Sequence, residues 1–154
     1  MSRYDTELKY LKFKDAFYVF LYGGVLSVLF GLMVGFIDYY LQIYIGFSFS
    51  GLLFFLSSIQ IGKMVRNQYE YPHIVYILFT GFSLVVQAFI IFFLPFVFSV
   101  VLEFESPLYV FDYTLYWVVL RGFLLSLVSG FNFNSWLTLL IYTIGVYLGV
   151  KQTY

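Results

Sequence analysis

Charged residues gather at a few places along this chain, and the stretches between them are almost wholly apolar. Asp15 and Asp38 enclose residues 16–37 without a charge, Asp38 and Lys63 enclose 39–62, and Glu70 and Glu103 enclose 71–102. Each exceeds the roughly 20 residues with which an α-helix crosses a hydrocarbon layer of about 30 Å. The pattern predicts three spanning helices, over 16–37, 40–62 and 73–101. The first is not read as a cleavable signal. Such a segment has an apolar run of about 7–15 residues ending at small residues. Here the run is longer and ends in Phe36-Ile37-Asp38, with another span close behind.

The last third divides in two ways. Asp112 and Arg121 interrupt it, and residues 122–150 are uncharged but broken by Gly130-Phe131-Asn132-Phe133-Asn134-Ser135. Those are turn and cap residue types. In the preferred reading the hexad is a tight loop between a fourth span, 108–129, and a short fifth, 136–150. The alternative is four spans, with Pro107–Arg121 an interfacial or re-entrant helix. The first reading sets Arg121 inside the bilayer, at roughly 2.5–3.5 kcal/mol. The second draws a polar hexad into it, where backbone groups need protein partners. Either way the predicted fold is all-α: a single domain over 1–154, a polytopic helix bundle with residues 1–14 as an interfacial tail.

Orientation follows the basic residues of short loops. The tail carries Arg3, Lys9, Lys12 and Lys14, and the loop after the second span carries Lys63 and Arg66. The loops with Asp38 and with Glu103, Glu105 and Asp112 carry none. A cytoplasmic N-terminus in a plasma membrane is expected. With five spans Lys151 falls outside against this bias; with four it falls inside. The tail segment 4–14 places Tyr4, Leu8 and Leu11 on one helical face, as an interfacial helix would.

Small residues mark helix contact faces in lipid, because they let backbones approach. Gly24, Gly31 and Gly35, then Gly51, Ser58 and Gly62, then Thr138, Gly145 and Gly149 each recur at steps of seven and four. Ser27 extends the first set. The short connection at Asp38 predicts that the first two spans seal against each other along these stripes.

Composition narrows the function. Hydrophobic residues make up 62% of the 154 and charged ones 10%, at zero formal net charge. So few charges cannot coat a soluble domain, and no basic field exists to hold nucleic acid. Absent cysteines exclude disulfides and thiolate sites, and one histidine excludes a multi-His metal centre. No nucleophile elbow, zinc-helix motif or phosphate loop occurs, so neither enzymatic activity nor a cofactor is expected.

The candidates that remain are polar groups within spans. Arg121 at mid-depth is a functional-site candidate by default, with Gln87 as its expected partner. Gln60 with Ser57 and Ser58, and Gln87 with Ser83, fit a polar pathway or interhelical hydrogen bonding. The loop residues Lys63, Arg66, Glu70 and His73 fit a basic anchor beside a helix that Pro72 starts in its first turn, Glu70 standing at its positive end. The expected function is a non-catalytic accessory, anchoring or assembly subunit, partnered by the bilayer and by another membrane protein or a second copy. The alternative is a small oligomeric transporter or channel using Gln60, Gln87 and Arg121.

Overall fold

The computed structural model describes residues 12–128 and 133–154. The interfacial helix expected over 4–14 falls outside them, apart from Lys12, Phe13 and Lys14, as does the first half of the loop expected over 130–135; its second half, Phe133, Asn134 and Ser135, is the first turn of the last helix rather than loop. The described residues form five α-helices and no strand: α1 Phe13–Ile45, α2 Ser50–Arg66, α3 Ile74–Glu103, α4 Tyr113–Val128 and α5 Phe133–Lys151. A short 3-10 turn, Pro107–Phe111, joins α3 to α4. Two helices, α1 and α3, are long and apolar enough to cross a membrane.

The first helix does not stop at Asp38. It continues to Ile45, where Gly46 takes a left-handed φ of 76° and gives its N–H to the Gln42 carbonyl. Asp38, expected in an open loop, is only 1% exposed. Its carboxylate is buried because it has donors. It accepts from the Gln42 amide at 2.7 Å, the Ser48 hydroxyl at 2.9 Å and the Phe49 N–H at 2.6 Å. Phe49 is the N-cap of α2 and has no capping side chain of its own. Asp38 caps that helix from its neighbour, a carboxylate at a positive helix end.

The start of α3 also differs from expectation. Pro72 precedes the helix, and His73 is the N-cap, its Nδ1 accepting the Val75 N–H at 3.1 Å. Glu70 pairs instead with Lys12 at 3.1 Å, both side chains more than half exposed.

Helix directions follow from which residues meet. A Cβ on Gly23 would approach Ser83, one on Gly31 Ile90, and one on Gly35 Leu94. Phe20 rests on Phe79 and Phe36 on Phe98. The offset stays near sixty, so α1 and α3 run parallel, with α2 returning between them. Likewise Gly51 meets Ile141, Phe54 stacks on Tyr142, Ser58 bonds to Gly145, and Gly62 meets Gly149. Helix α5 therefore runs parallel to α2. It ends where α2 ends, with the Tyr69 hydroxyl donating to the Thr153 carbonyl.

Packing corrects the expected seam. The stripe of α1 receives α3, and that of α2 receives α5, rather than the two sealing against each other. Gly24 has nothing within 4 Å of its would-be Cβ, and its place is taken by Gly23. Gly23, Ser27, Gly31 and Gly35 recur every four residues and hold one face, while Gly24 lies about 100° round the helix. At the second seam the approach is closest: a Cβ on Gly62 would collide with the Gly149 carbonyl oxygen, and one on Gly149 would lie 2.8 Å from the Ser58 carbonyl.

One end of the bundle collects Lys12, Lys14, Lys63, Arg66 and Lys151, and the other collects Asp38, Glu103, Glu105 and Asp112. Helix α4 belongs to the acidic end. The chain comes to it from the far end of α3 and continues into the far end of α5. Tyr116 meets Phe93 and Phe123 meets Phe92. Seven residues of α4, about 10 Å, match one residue step of α3, about 1.5 Å. So α4 crosses α3 obliquely.

Candidate functional site

Three of the four helices that run along the bundle bring polar side chains to one height, and α5 adds a backbone carbonyl. Gln87, fully buried on α3, donates from Nε2 to Ser57 Oγ on α2 at 2.6 Å. Ser57 in turn donates to the Phe54 carbonyl at 2.9 Å. Ser58 donates to Gly145 on α5 and to Phe55, both at 2.9 Å. Ser27 of α1, by the offset of sixty, faces the height of Gln87. Ser27 Oγ and Gln87 Oε1 are both buried with no hydrogen-bond partner among the described residues. Facing helices thus carry one spare donor and one spare acceptor. The layer holds no ionisable group. It can fix helix height and rotation through hydrogen bonds; a proton relay would need a titratable member.

These bonds define an expected result. Ser57→Ala leaves the Gln87 amide buried and unpaired and should cost about 1–2 kcal/mol. Adding Gln87→Leu removes the orphaned group as well as its spare oxygen, and should recover most of that loss. Thermal unfolding of both variants in one detergent checks it; a double variant less stable than Ser57→Ala contradicts it.

The residues expected to share a pathway are not brought together. Gln87 lies in the core, Gln60 is exposed on the outer face of α2, and Arg121 is exposed on α4. Gln87 is bonded to Ser57 and not to Arg121. The sequence pointed to all three as polar groups within apolar stretches, but their directions depend on helix rotation, which spacing within one helix leaves open.

The loop residues have separate local roles. Arg66 closes its loop, donating to the Tyr69 carbonyl at 2.8 Å and lying 5.0 Å from that ring. Burial pushes the Tyr69 phenol up, against the bond to Thr153 and the Arg66 charge. Glu70, by hydrogen bond and charge, raises the Lys12 ammonium. Lys63 is exposed. His73 is 3% exposed, and its Nε2 has no partner among the described residues. Among the described residues no three His, Asp or Glu side chains gather as metal ligands.

At the acidic end Asp112 precedes α4 and accepts from the Thr114 hydroxyl at 2.6 Å and its N–H at 2.9 Å. These bonds, the hydroxyl first, hold its carboxyl below the usual carboxylate range. A depressed carboxylate stabilises only while ionised. The cap is therefore fully present above the ordinary carboxylate value and lost as pH falls through the depressed one. Amide exchange at the start of α4 should quicken on acidification relative to mid-α3, and Asp112→Ala should remove that difference. An unchanged profile in Asp112→Ala contradicts the cap.

Comparison with protein-family models, with curated proteins and with solved structures finds no match.

Proposed function

We propose that this chain is a non-catalytic membrane subunit that crosses the plasma membrane four times. Helices α1, α2, α3 and α5 are the crossings, and α4 lies at the outer end. The even count rests on the parallel course of α2 and α5 and on the joining of Tyr69 to Thr153. It also places Lys151 with the other basic residues, so both termini are cytoplasmic under the basic-loop rule. The outer surface suits lipid: Leu21, Val25, Leu29 and Met33 of α1 and Leu78, Phe82 and Phe89 of α3 are 44–64% exposed.

One observation carries the subunit reading. Gln60 faces outward on the ridge Leu52, Leu56, Gln60, Met64, without a side-chain hydrogen bond among the described residues. An amide turned toward lipid seeks a hydrogen bond across a helix interface. The partner is a helix of another membrane protein or of a second copy.

The native chain contains no cysteine, so single cysteines can map the docking face. Cross-linking from Leu56→Cys or Met64→Cys should yield one defined partner, and cross-linking from Leu21→Cys or Val25→Cys should not. Equal yields from both faces would contradict docking through α2.

A further inference from the structure

Helix α4 touches the bundle sparingly, and a cleft opens on either side of its crossing. One, about 630 Å³, lies between α3, α4 and α5 and is lined by Ala88, Phe92, Leu120, Leu124 and Val146 among others. The other, about 610 Å³, lies between α1, α3 and α4. Phe89 borders both. The walls of the first are mostly hydrocarbon, with hydroxyls on Thr138, Tyr142, Thr143 and Tyr147. Thr143 spends its hydroxyl on the Leu139 carbonyl at 2.8 Å, and Tyr142 bonds to Ser50. Such a lining suits an unbranched apolar chain and offers little to a peptide backbone.

The outer ridge of α4 carries Tyr113, Trp117 and Arg121, at four-residue steps and all exposed. Tyrosine and tryptophan prefer headgroup depth, and arginine reaches it by extending its stem. Arg121 follows Leu120 and lies one turn before Leu124, so it borders the residues that wall the first cleft. It is also the one Lys or Arg between Arg66 and Lys151, in the half of the bundle whose other charges are acidic, near the height of Phe92 and Phe93 on α3. A lone guanidinium beside an apolar cleft calls for an anion carried on a hydrocarbon chain.

We infer that α4 holds a diacyl phospholipid of the outer leaflet, its phosphate on Arg121 and one acyl chain in the α3–α4–α5 cleft. Arginine matches phosphate oxygens with two parallel hydrogen bonds. The inference rests on the membrane reading above but not on docking through α2.

The test is native mass spectrometry of the detergent-purified full chain with dioleoylphosphatidylglycerol, dioleoylglycerol or inorganic phosphate. One phosphatidylglycerol should be retained per chain, preferred over dioleoylglycerol by roughly tenfold or more, as for hydrogen bonds to a charged group. Arg121→Gln should abolish that preference. Leu124→Trp, which fills the cleft from its exposed side, should lose both lipids, whereas Leu21→Trp on the far face of α1 should lose neither. Inorganic phosphate alone should not be retained. Equal retention of the two lipids by the native chain would overturn the inference, as would retention unchanged in Arg121→Gln or Leu124→Trp, or phosphate bound as well as the lipid. Recovery of the chain without detergent would instead overturn the membrane reading, and unselective cross-linking from α2 only the docking one.

Discussion

Gly62→Ala is expected to destabilise the bundle by about 3 kcal/mol or more, and Gly24→Ala to leave it unchanged or slightly more stable. Both glycines stand at the same kind of position in the sequence, within an apolar helix on a stripe of small residues. Their surroundings differ. The added methyl at Gly62 meets the backbone oxygen of Gly149, which can move only if α2 and α5 part along their seam. Overfilling a tight contact costs 1–3 kcal/mol where side chains can yield, and a backbone yields less. At Gly24 the methyl meets nothing within 4 Å, and alanine favours helix over glycine by up to about 1 kcal/mol. Thermal unfolding of both variants in one detergent reads the pair. Equal losses would mean that the α2–α5 seam is not the close contact described.

Asp38→Leu should be the most damaging single change at the acidic end, costing roughly 3 kcal/mol. It strips the acceptor from the Phe49 N–H, the Ser48 hydroxyl and the Gln42 amide together. Leucine is large enough to fill the space, so the loss reports the hydrogen bonds more than a cavity. Asp38→Asn keeps one acceptor oxygen and should lose about half as much. Its amide can take the place of a donor only if Gln42 turns its carbonyl inward. Equal losses from the two variants would show that the carboxylate is not the element joining α1 to the start of α2. A loss confined to the hairpin end, read by amide exchange at the start of α2, is the expected signature.

The helices were legible because a hydrocarbon layer forbids unpaired charge, so uncharged gaps mark them. The gap rule failed at Asp38 because a carboxylate supplied with donors can be buried inside a helix. Gln42 one turn later and Ser48 beyond were the available signal. The small-residue stripes were legible as close-approach faces, but which face meets which helix was not. Steps of seven and four from Gly24 and steps of four from Gly23 describe neighbouring strips of one helix, and only the rotation of α1 chooses between them. The direction of α5 was equally open. Residues 133–151 carry one charge, Lys151, and the pairing of Gly145 and Gly149 with α2 sets the direction. Gln60, Gln87 and Arg121 are all polar residues in apolar runs, yet Gln60 is exposed on the outer face of α2, Gln87 lies in the core and Arg121 is exposed on α4.

The parallel course of α2 and α5 is the central claim, because the proposed even number of crossings and the proposed side of each terminus rest on it. Single cysteines at Lys14, Gln68, Ser106 and Tyr154 in this cysteine-free chain, probed with a membrane-impermeant maleimide on intact cells, test it directly. Labelling of Ser106→Cys alone, with the other three labelled only after the cells are opened, is the predicted result. Labelling of Tyr154→Cys on intact cells while Lys14→Cys stays protected would contradict it, and would return α4 to the role of a full crossing.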